Sequence, residues 1–489
     1  MIRGLTIGAV LALFLAPAAN TRAETRPSYD GTLRGSLLSA PTTFDPINAR
    51  SHADVSLSVL VFDTLYKTTS LGTTRPHLAA GAPVVSSDGR TVTIPLRRDV
   101  RFHDNAKLTP DIVAASLRQV LRRARWMLAP VRAVRPGRHS LVLSLRRRTP
   151  NIAVLLSATG TGITRRGRAP SQVRPIGTGP FRMLRFRRNR SKVTLLAWRH
   201  HFAGRPYLRK LELRWYGKDA EALAYETGKT HMSYRGPSPY RGHVPKYATA
   251  NVQGPATLLV YVGFGSKHRQ ITSSRNFRRA LSLALSRRAF QYAGKRERVA
   301  PCVYPVARDG GGPALSGAQI SANLSRARAE LARGPSVAGT TLELIVDRSR
   351  LDDKRIAEKV VFALLRLGVT AQISELSATQ FASRVKRGQT DLYIGQLAAP
   401  AASPLLAAAT AFAAGNDPWM TSRWAKVRLT SKQTLQAFAK RLPIVSLFHR
   451  AVRMHHRTNI RGVGFDALTM PSFADMFVYG RSRRSRGGP

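Results

Sequence analysis

The sequence feature that most constrains the fold is an alternation of strand-like and helix-like segments in the second half of the chain. Residues 341–346 have the pattern of an apolar strand, residues 352–367 carry apolar side chains at helical spacing, and residues 369–373 have the pattern of a second strand. Gly368 stands where a helix C-cap is expected. A strand, a helix and a strand in this order are typical of a crossover connection. The chain is therefore predicted to build a mixed, partly parallel α/β sheet.

Segments with the same two patterns occur along most of the chain. Strands are predicted over residues 33–37, 181–186, 193–198, 211–215 and 258–264, and residues 83–96 are predicted to form two strands joined by a Ser-Asp-Gly turn. Helices are predicted over residues 55–66, 219–227, 276–290 and 379–386, and another is predicted to begin after the capping residue Thr109. Residues 398–415, rich in alanine, are either an apolar helix or a simplified loop.

Length and cysteine content limit how the fold can be stabilised. A chain of 489 residues is too long for one core and indicates two or three domains. Hydrophobic residues make up 43% of the chain, enough for an ordinary buried interior. Cys302 is the single cysteine, so we expect neither an internal disulfide nor a cysteine-rich metal site.

The N-terminus has the pattern of an export signal. Arg3 precedes an apolar run over residues 5–16, and residues 21–23 form a plausible cleavage site. The run is short for a membrane span, although an uncleaved anchor is the alternative interpretation. The sequence therefore predicts a signal peptide over residues 1–23 and a periplasmic mature protein, and the absence of cysteine after the apolar run argues against a lipoprotein.

The charge balance is strongly basic. Seventy-nine Lys and Arg residues against 26 Asp and Glu residues give a formal net charge of +53. Most basic residues are scattered, apart from short blocks at residues 122–125, 146–148 and 481–486. We expect non-specific binding to anionic polymers at low salt and no specific nucleic-acid recognition.

Several short motifs recur in a fixed order. They are GTLR at residues 31–34, TTFDP at 42–46, VRFHD at 100–104, PIGTGPF at 175–181 and NFRRAL at 276–281. Together, these motifs resemble those of the family 5 extracellular solute-binding proteins, the peptide- and nickel-binding receptors of ABC importers. Residues 355–369 and 391–395 extend the resemblance into the C-terminal half.

The resemblance implies an α/β fold, a two-lobed periplasmic-binding-protein clamp of type II, cluster C-like, with an extra small α+β domain. A ligand, either a peptide or another small solute, binds between the lobes, and the closed receptor docks on an ABC permease in the inner membrane. We expect a monomer without a cofactor. The implied divisions are a signal peptide (1–23), lobe I (24–60 plus 170–250 plus 451–480), the small domain (61–169), lobe II (251–450) and a basic tail (481–489).

The ligand turn departs from the family pattern. Peptide-binding relatives carry an aspartate there that pairs with the peptide's amino group, and Ala399 occupies its place in this chain. A buried ammonium without a counter-charge would cost about several kcal/mol, so ordinary peptide binding is not expected. Either the pocket takes an anionic or uncharged ligand, with Arg348 or Arg350 as a carboxylate clamp, or high-affinity binding has been lost.

The predicted site residues fall in four groups. The resemblance places Phe44 and Asp45 near the cleft wall, and Gly265 and Ser266 near the hinge strand. The two candidate clamp residues are Arg348 and Arg350, and the ligand turn comprises Gln396, Leu397, Ala398 and Ala399. For Phe44 and Leu397, packing into the core is an equally good interpretation.

The sequence lacks the common catalytic and metal-binding patterns. The sequence contains no Gly-x-Ser-x-Gly and no His-Glu-x-x-His, and residues 223–230 lack the first glycine of a phosphate-binding loop. The pairs His200–His201 and His455–His456 are adjacent, and neighbours on a strand face opposite sides, so no metal site is predicted. An enzyme is not expected. The alternative to a working receptor is a degenerate receptor scaffold that acts as a basic, anion-adhering envelope protein.

Overall fold

The computed structural model describes residues 29–479, except residues 70, 166, 168, 188–190, 218–219, 235–248, 291–296, 300–320 and 351. The predicted signal peptide, Cys302 and the basic tail lie outside the described residues. Among the residues that are described, no helix is long and apolar enough to cross a membrane.

The secondary structure alternates between strands and helices along the chain. The strands are β1 (Thr32–Ser36), β2 (Tyr66–Thr68), β3 (Thr74–Pro76), β4 (Val84–Val85), β5 (Thr91–Pro95), β6 (Val131–Pro136), β7 (Ser140–Leu145), β8 (Phe181–Arg187), β9 (Lys192–Ala197), β10 (Lys210–Arg214), β11 (Met232–Ser233), β12 (Thr249–Phe264), β13 (Glu297–Val299), β14 (Thr341–Asp347), β15 (Thr370–Leu376), β16 (Leu392–Leu397), β17 (Val445–Arg457), β18 (Ile460–Arg461) and β19 (Phe477–Val478). The α-helices are α1 (His52–Val61), α2 (Pro110–Arg123), α3 (Ile152–Leu155), α4 (Ala220–Glu226), α5 (Arg269–Thr272), α6 (Arg275–Ala284), α7 (Leu324–Ala332), α8 (Asp353–Leu365), α9 (Ala378–Arg387), α10 (Pro404–Ala414), α11 (Trp419–Lys426) and α12 (Ser431–Arg441).

Lobe I is built on a four-stranded sheet in the order β1-β10-β9-β8. β1 runs parallel to β10, and the other two pairs are antiparallel. Leu33, Phe181, Leu195 and Leu211 alternate with outward residues and are fully buried in one core.

The small domain contains a second four-stranded sheet, in the order β4-β5-β7-β6, with α2 packed on β6. The helix begins as predicted, because the Thr109 side chain accepts a hydrogen bond from the Ile112 amide and Pro110 occupies the first turn. Val113, Leu117 and Val120 are buried on one face of the helix at helical spacing.

Lobe II is built on the largest sheet, in the order β11-β17-β12-β16-β14-β15, with β13 paired to β17. β14 is parallel to both β15 and β16, so the predicted parallel component is confirmed. Helix α8 connects β14 to β15 and buries Ile356, Val360 and Leu364 against one sheet face.

Two long antiparallel strands, β12 and β17, belong to both lobes. Their outer parts contribute Leu258 and Met454 to the core of lobe I, and their inner parts contribute Val262 and Leu447 to that of lobe II. The pairing register of β12 with β17 shifts between residues 253 and 258, where one core gives way to the other. The lobes are therefore connected by a continuous two-stranded ribbon with an irregularity at the crossing.

Two helices differ from the sequence prediction. The helix expected over residues 276–290 ends at Ala284 and is followed by a 3-10 turn, Arg287–Phe290. The buried Arg287 guanidinium donates to the Ser282 carbonyl and hydroxyl oxygens, which satisfies acceptors at the helix end. The helix expected over residues 55–66 begins earlier, because Ser51 caps it, and ends at Val61.

The alanine-rich stretch forms helix α10, capped by the Ser403 hydroxyl. Leu406 and Phe412 of this helix share a hydrophobic core with Trp126 and Leu128 of the small domain. Lobe II residues therefore pack on the small domain rather than only on their own sheet.

Candidate ligand-binding site

The candidate site is the cleft where the carboxyl ends of β14, β15 and β16 face lobe I. Ligands bind at this edge in many open α/β sheets. Two hydrogen bonds join the lobes there: the Ala40 amide donates to Ser349 Oγ (3.1 Å), and the Ala398 amide donates to the Arg50 carbonyl (2.9 Å). The Pro400 carbonyl, just beyond β16, also accepts from the Thr159 amide at 3.0 Å. Ala398 of the predicted ligand turn and the nearby Pro400 therefore lie at the junction of both lobes and the small domain.

On the paired strands β12 and β16, each of two tyrosines stands opposite a glycine. Tyr261 pairs with Gly395, and Gly263 pairs with Tyr393. A Cβ on Gly395 would lie 2.2 Å from Tyr261 Cζ, and a Cβ on Gly263 would lie 2.1 Å from Tyr393 Cζ. Each ring therefore lies flat over a glycine, and the two rings meet edge to face with centroids 5.9 Å apart.

Arg50 extends from lobe I toward these rings. Its guanidinium lies over the Trp126 ring at 5.5 Å from the centroid. Burial lowers the pKa of Arg50, and the nearby hydroxyls of Tyr261 and Tyr393 only partly offset this effect. Nη1 of Arg50 is buried and has no hydrogen-bond partner among the described residues. A buried guanidinium nitrogen in this state is ready to donate to an anionic or carbonyl group of a ligand.

Arg350, one of the two predicted clamp residues, already has its charge paired with carboxylates of the protein. It lies 3.4 Å from Asp347 and 3.3 Å from Asp353, and it donates to the Ile394 carbonyl. Burial alone would lower the pKa of Arg350, but the charges of Asp353 and Asp347 outweigh it and raise the pKa. The structure therefore places Arg350 in a buried ion-pair cluster, where it holds the edge of the sheet together.

Gln396 takes part in the same cluster. Its amide donates to Asp353 Oδ1 at 3.0 Å, and its side chain is buried. Burial raises the pKa of Asp353 to about 6, although Arg350 and the Gln396 hydrogen bond act in the opposite direction. Gln396 therefore positions Asp353 beneath the cleft.

Phe44 and Asp45 lie inside lobe I. Phe44 is buried in the lobe I core and meets Phe186 edge to face. The Asp45 carboxylate pairs with Arg123 and accepts a hydrogen bond from the side-chain amide of Asn48, so it stabilises the turn before α1.

Gly265 and Ser266 lie at the opposite end of β16 from the ligand turn. The Gly265 amide donates to the Asp391 carbonyl, whereas Leu397 at the other end of β16 pairs with Leu259. At about 3.3 Å per residue, the six residues from Leu259 to Gly265 span about 20 Å. These two residues are not brought together with the rest of the predicted site.

The remaining predicted residues stay at the cleft edge. Arg348 follows β14 and is exposed, Leu397 and Ala398 are buried, and Ala399 is partly exposed. Leu397 packs in the same core as Tyr261.

Sequence reasoning missed Arg50, together with the three rings around it. Arg50 stands among 79 basic residues and carries no motif of its own. The only local signal is its position between the TTFDP turn and the α1 cap, where the chain passes from lobe I to the cleft.

Two lobes that share a ribbon of two strands, with a cleft at the carboxyl edge of a parallel sheet, define a two-lobed periplasmic binding protein. The family profile "Bacterial extracellular solute-binding proteins, family 5 Middle" matches residues 73–419. The chain belongs to this family, whose members are solute-binding receptors of ABC importers for peptides, nickel and similar ligands.

Solved structures show the same fold at low sequence identity. The ABC transporter-associated periplasmic binding protein DppA from Helicobacter pylori, in complex with the peptide STSA, has a TM-score of 0.77 at 16% identity, over 93% of this chain and 99% of that one. NikA from Staphylococcus aureus, in complex with Ni(L-His)2, has a TM-score of 0.75 at 14% identity, over 91% and 99%. AgaA from A. tumefaciens, in complex with agropinic acid, has a TM-score of 0.73 at 16% identity, over 92% and 99%.

Proposed function

We propose that this protein is the exported receptor of an ABC importer for a small solute with an anionic group, and that Arg50 binds that group between the lobes. The observation that carries the proposal is the buried, unpartnered Nη1 of Arg50 in the cleft. An incoming carboxylate or phosphate would recover the hydrogen bond that this nitrogen lacks and the charge interaction that burial weakens.

The aromatic surroundings of Arg50 support the same ligand class. Trp126, Tyr261 and Tyr393 offer ring surfaces but no carboxylate that would pair with the Arg50 guanidinium. The ring surfaces would pack against the uncharged part of the ligand, as in many small-molecule sites.

Ala399 argues against a peptide with a free amino group. The partly exposed methyl group of Ala399 lies beside the junction where the Ala398 amide meets lobe I, and it cannot pair with an ammonium group. Among the similar structures, a receptor for agropinic acid shows that this fold accommodates ligands other than peptides.

The proposal includes the predicted organisation of the chain. Residues 1–23 act as the signal peptide, and the mature monomer works in the periplasm with an ABC permease as its partner. Residues 24–60, 170–250 and 451–480 form lobe I, residues 61–169 the small domain and residues 251–450 lobe II. The family to which the chain belongs is typically extracellular or periplasmic.

The decisive experiment compares two arginine variants. The mature protein is titrated calorimetrically with a panel of small carboxylates, phosphates, sugars and short peptides. With the best ligand, Arg50→Gln is expected to lower affinity by about 10- to 100-fold, because a hydrogen bond to a charged group is lost. Arg348→Gln, at an exposed position on the same cleft edge, is the matched control and should change affinity less than about threefold.

Three outcomes would overturn the proposal. Loss of binding in Arg348→Gln but not in Arg50→Gln would move the clamp to Arg348. Tight binding of a peptide through its amino group would contradict the proposed anionic class of ligand. Absence of binding across the panel, together with an unchanged radius of gyration in solution scattering, would indicate that the receptor no longer closes on a ligand.

A further inference from the structure

Three potential metal ligands meet at the junction of lobe I and the small domain, away from the cleft edge described above. Asp63 follows α1, His77 follows β3, and His201 lies between β9 and β10. One ligand atom from each of these residues lies within 4.8 Å of the other two. All three side chains are largely buried, and that of His201 is only 7% exposed.

The ring of His201 is oriented as a metal ligand requires. Its Nδ1 lies 3.1 Å from the Gly204 carbonyl oxygen, which can only accept, so Nδ1 carries a proton. In neutral imidazole this leaves the lone pair on Nε2. That atom is buried without a well-formed hydrogen bond, 3.5 Å from Asp63 Oδ2. Two facing lone pairs repel, whereas a cation between them would be bound by both.

The carboxylate of Asp63 is held in place by its neighbours. Thr178 Oγ1 donates to Oδ2 at 3.0 Å, and His77 Nε2 lies 2.8 Å from Oδ1. A backbone carbonyl behind one histidine and a hydroxyl behind the carboxylate are the outer contacts that orient metal ligands in proteins.

Neighbouring histidines do not compete for this role. His103 Nε2 donates to the Gly179 carbonyl and its Nδ1 accepts from the Gly177 amide, so both ring nitrogens are used. The His200 side chain is exposed and its ring packs against Trp198.

We propose that Asp63, His77 and His201 bind one divalent transition-metal ion, with Zn2+ as the best match. Two imidazole nitrogens and one carboxylate oxygen are a common ligand set for tetrahedral Zn2+, with water in the fourth position. To bind the ion, His77 would take the tautomer that carries its proton on Nδ1, and the Nε2 lone pair would then replace the hydrogen bond to Asp63 with a bond to the ion. The ion would tie the β9–β10 connection of lobe I to the segment between α1 and β4, and so stabilise the junction.

The test uses the untagged mature protein, stripped with chelator and then supplied with Zn2+. Native mass spectrometry is expected to show one ion per chain, with a rise in melting temperature. The net charge of +53 disfavours non-specific cation binding, so a stoichiometric ion requires a formed site. Co2+ should give the intense visible absorption of a tetrahedral nitrogen and oxygen site.

Variants separate the site from other histidines. His201→Gln and His77→Gln should each weaken Zn2+ binding by more than about 100-fold, because loss of a ligand exceeds the effect of losing an outer contact. His200→Gln, next in sequence and exposed, should bind as the unmodified protein does. Circular dichroism checks that each variant is folded.

The outcomes are distinct. Absence of stoichiometric Zn2+ and Co2+ in the unmodified protein would show that the cluster is a hydrogen-bonded Asp–His–His chain with a charged His201, and would overturn the proposal. Equal binding by the unmodified protein and His201→Gln would overturn it as well. Loss of Zn2+ in both ligand variants and not in His200→Gln would support it.

Discussion

At the scale of single residues, Arg50 and Arg350 show how differently two buried arginines can be treated in one protein. Both influence Tyr261, yet Arg350 has two aspartates within 3.4 Å, whereas Arg50 has no ion pair among the described residues and its buried Nη1 has no hydrogen-bond partner there. Removing one partner from a buried pair leaves an uncompensated charge, so Arg350 supports the fold. A charge left without a partner in a cleft is instead a candidate for ligand binding.

His52 is a second residue whose state affects stability. It is buried, and its Nε2 donates to the Thr469 carbonyl at 2.9 Å. Burial lowers the pKa of His52 to about 4, well under its usual 6.5. Between these pH values His52 is protonated in the unfolded chain but not in the folded one. The free energy of unfolding therefore falls as pH falls from about 6.5 to about 4.

We expect His52→Gln to remove this pH dependence of stability, while the glutamine side-chain amide still donates a hydrogen bond to the Thr469 carbonyl. Urea unfolding at pH 7 and pH 4.5 should show the difference in unfolding free energy between the two proteins shrinking by about 2–3 kcal/mol at the lower pH. His200→Gln, at an exposed histidine, is the control and should show no such change. A pH-independent difference for His52→Gln would contradict the prediction.

At the scale of elements, the sequence predicts those strands and helix ends that are determined by local patterns of residues. Strands β8, β9, β14 and β15 and the start of α2 appear where alternation, capping and glycine signals indicate them. The shortened α6 was not predictable from its apolar spacing, since the Arg287 side chain folds back onto its last turn.

The site was less predictable than the elements. The place of Ala399 in the ligand turn stays a prediction from the resemblance, whereas Arg50 meets Tyr261 and Tyr393 only because of strand register and lobe packing. Arg50 is separated from each of these tyrosines by more than two hundred positions, and nothing in the local sequence of Arg50 indicates the contact.

The pairing of tyrosine with glycine across β12 and β16 gives an element-scale prediction. Gly395→Ala would place a Cβ 2.2 Å from Tyr261 Cζ, so the ring must move. We expect a loss of about 1–3 kcal/mol in unfolding free energy, measured by urea denaturation. Gly464→Ala, where an added Cβ meets nothing within 4 Å, should cost much less.

A double variant checks the cause. Combined with Tyr261→Ala, Gly395→Ala should cost clearly less than it does alone, because the clashing ring is absent. Full additivity of the two substitutions would contradict the steric explanation.

At the scale of the whole molecule, the net charge of +53 is the property that family membership does not explain. The family comparisons favour a receptor over an anion-adhering scaffold, but a receptor with this charge still attracts polyanions. We expect a fluorescently labelled random DNA duplex to bind at about 20 mM salt and to be released near 300 mM, with log affinity falling linearly with log salt. Binding that is indifferent to salt, or that depends on DNA sequence, would contradict a non-specific electrostatic attraction.

The ribbon of β12 and β17 also determines when this chain can fold. Residues 445–457 supply side chains to both cores, and Ile460 and Phe473 add to that of lobe I. During synthesis the N-terminal end emerges first, so neither core can be completed until nearly the entire polypeptide has been made. The N-terminal segments therefore remain incompletely folded during this time, with their apolar surfaces exposed. A chaperone would have its greatest effect in that interval.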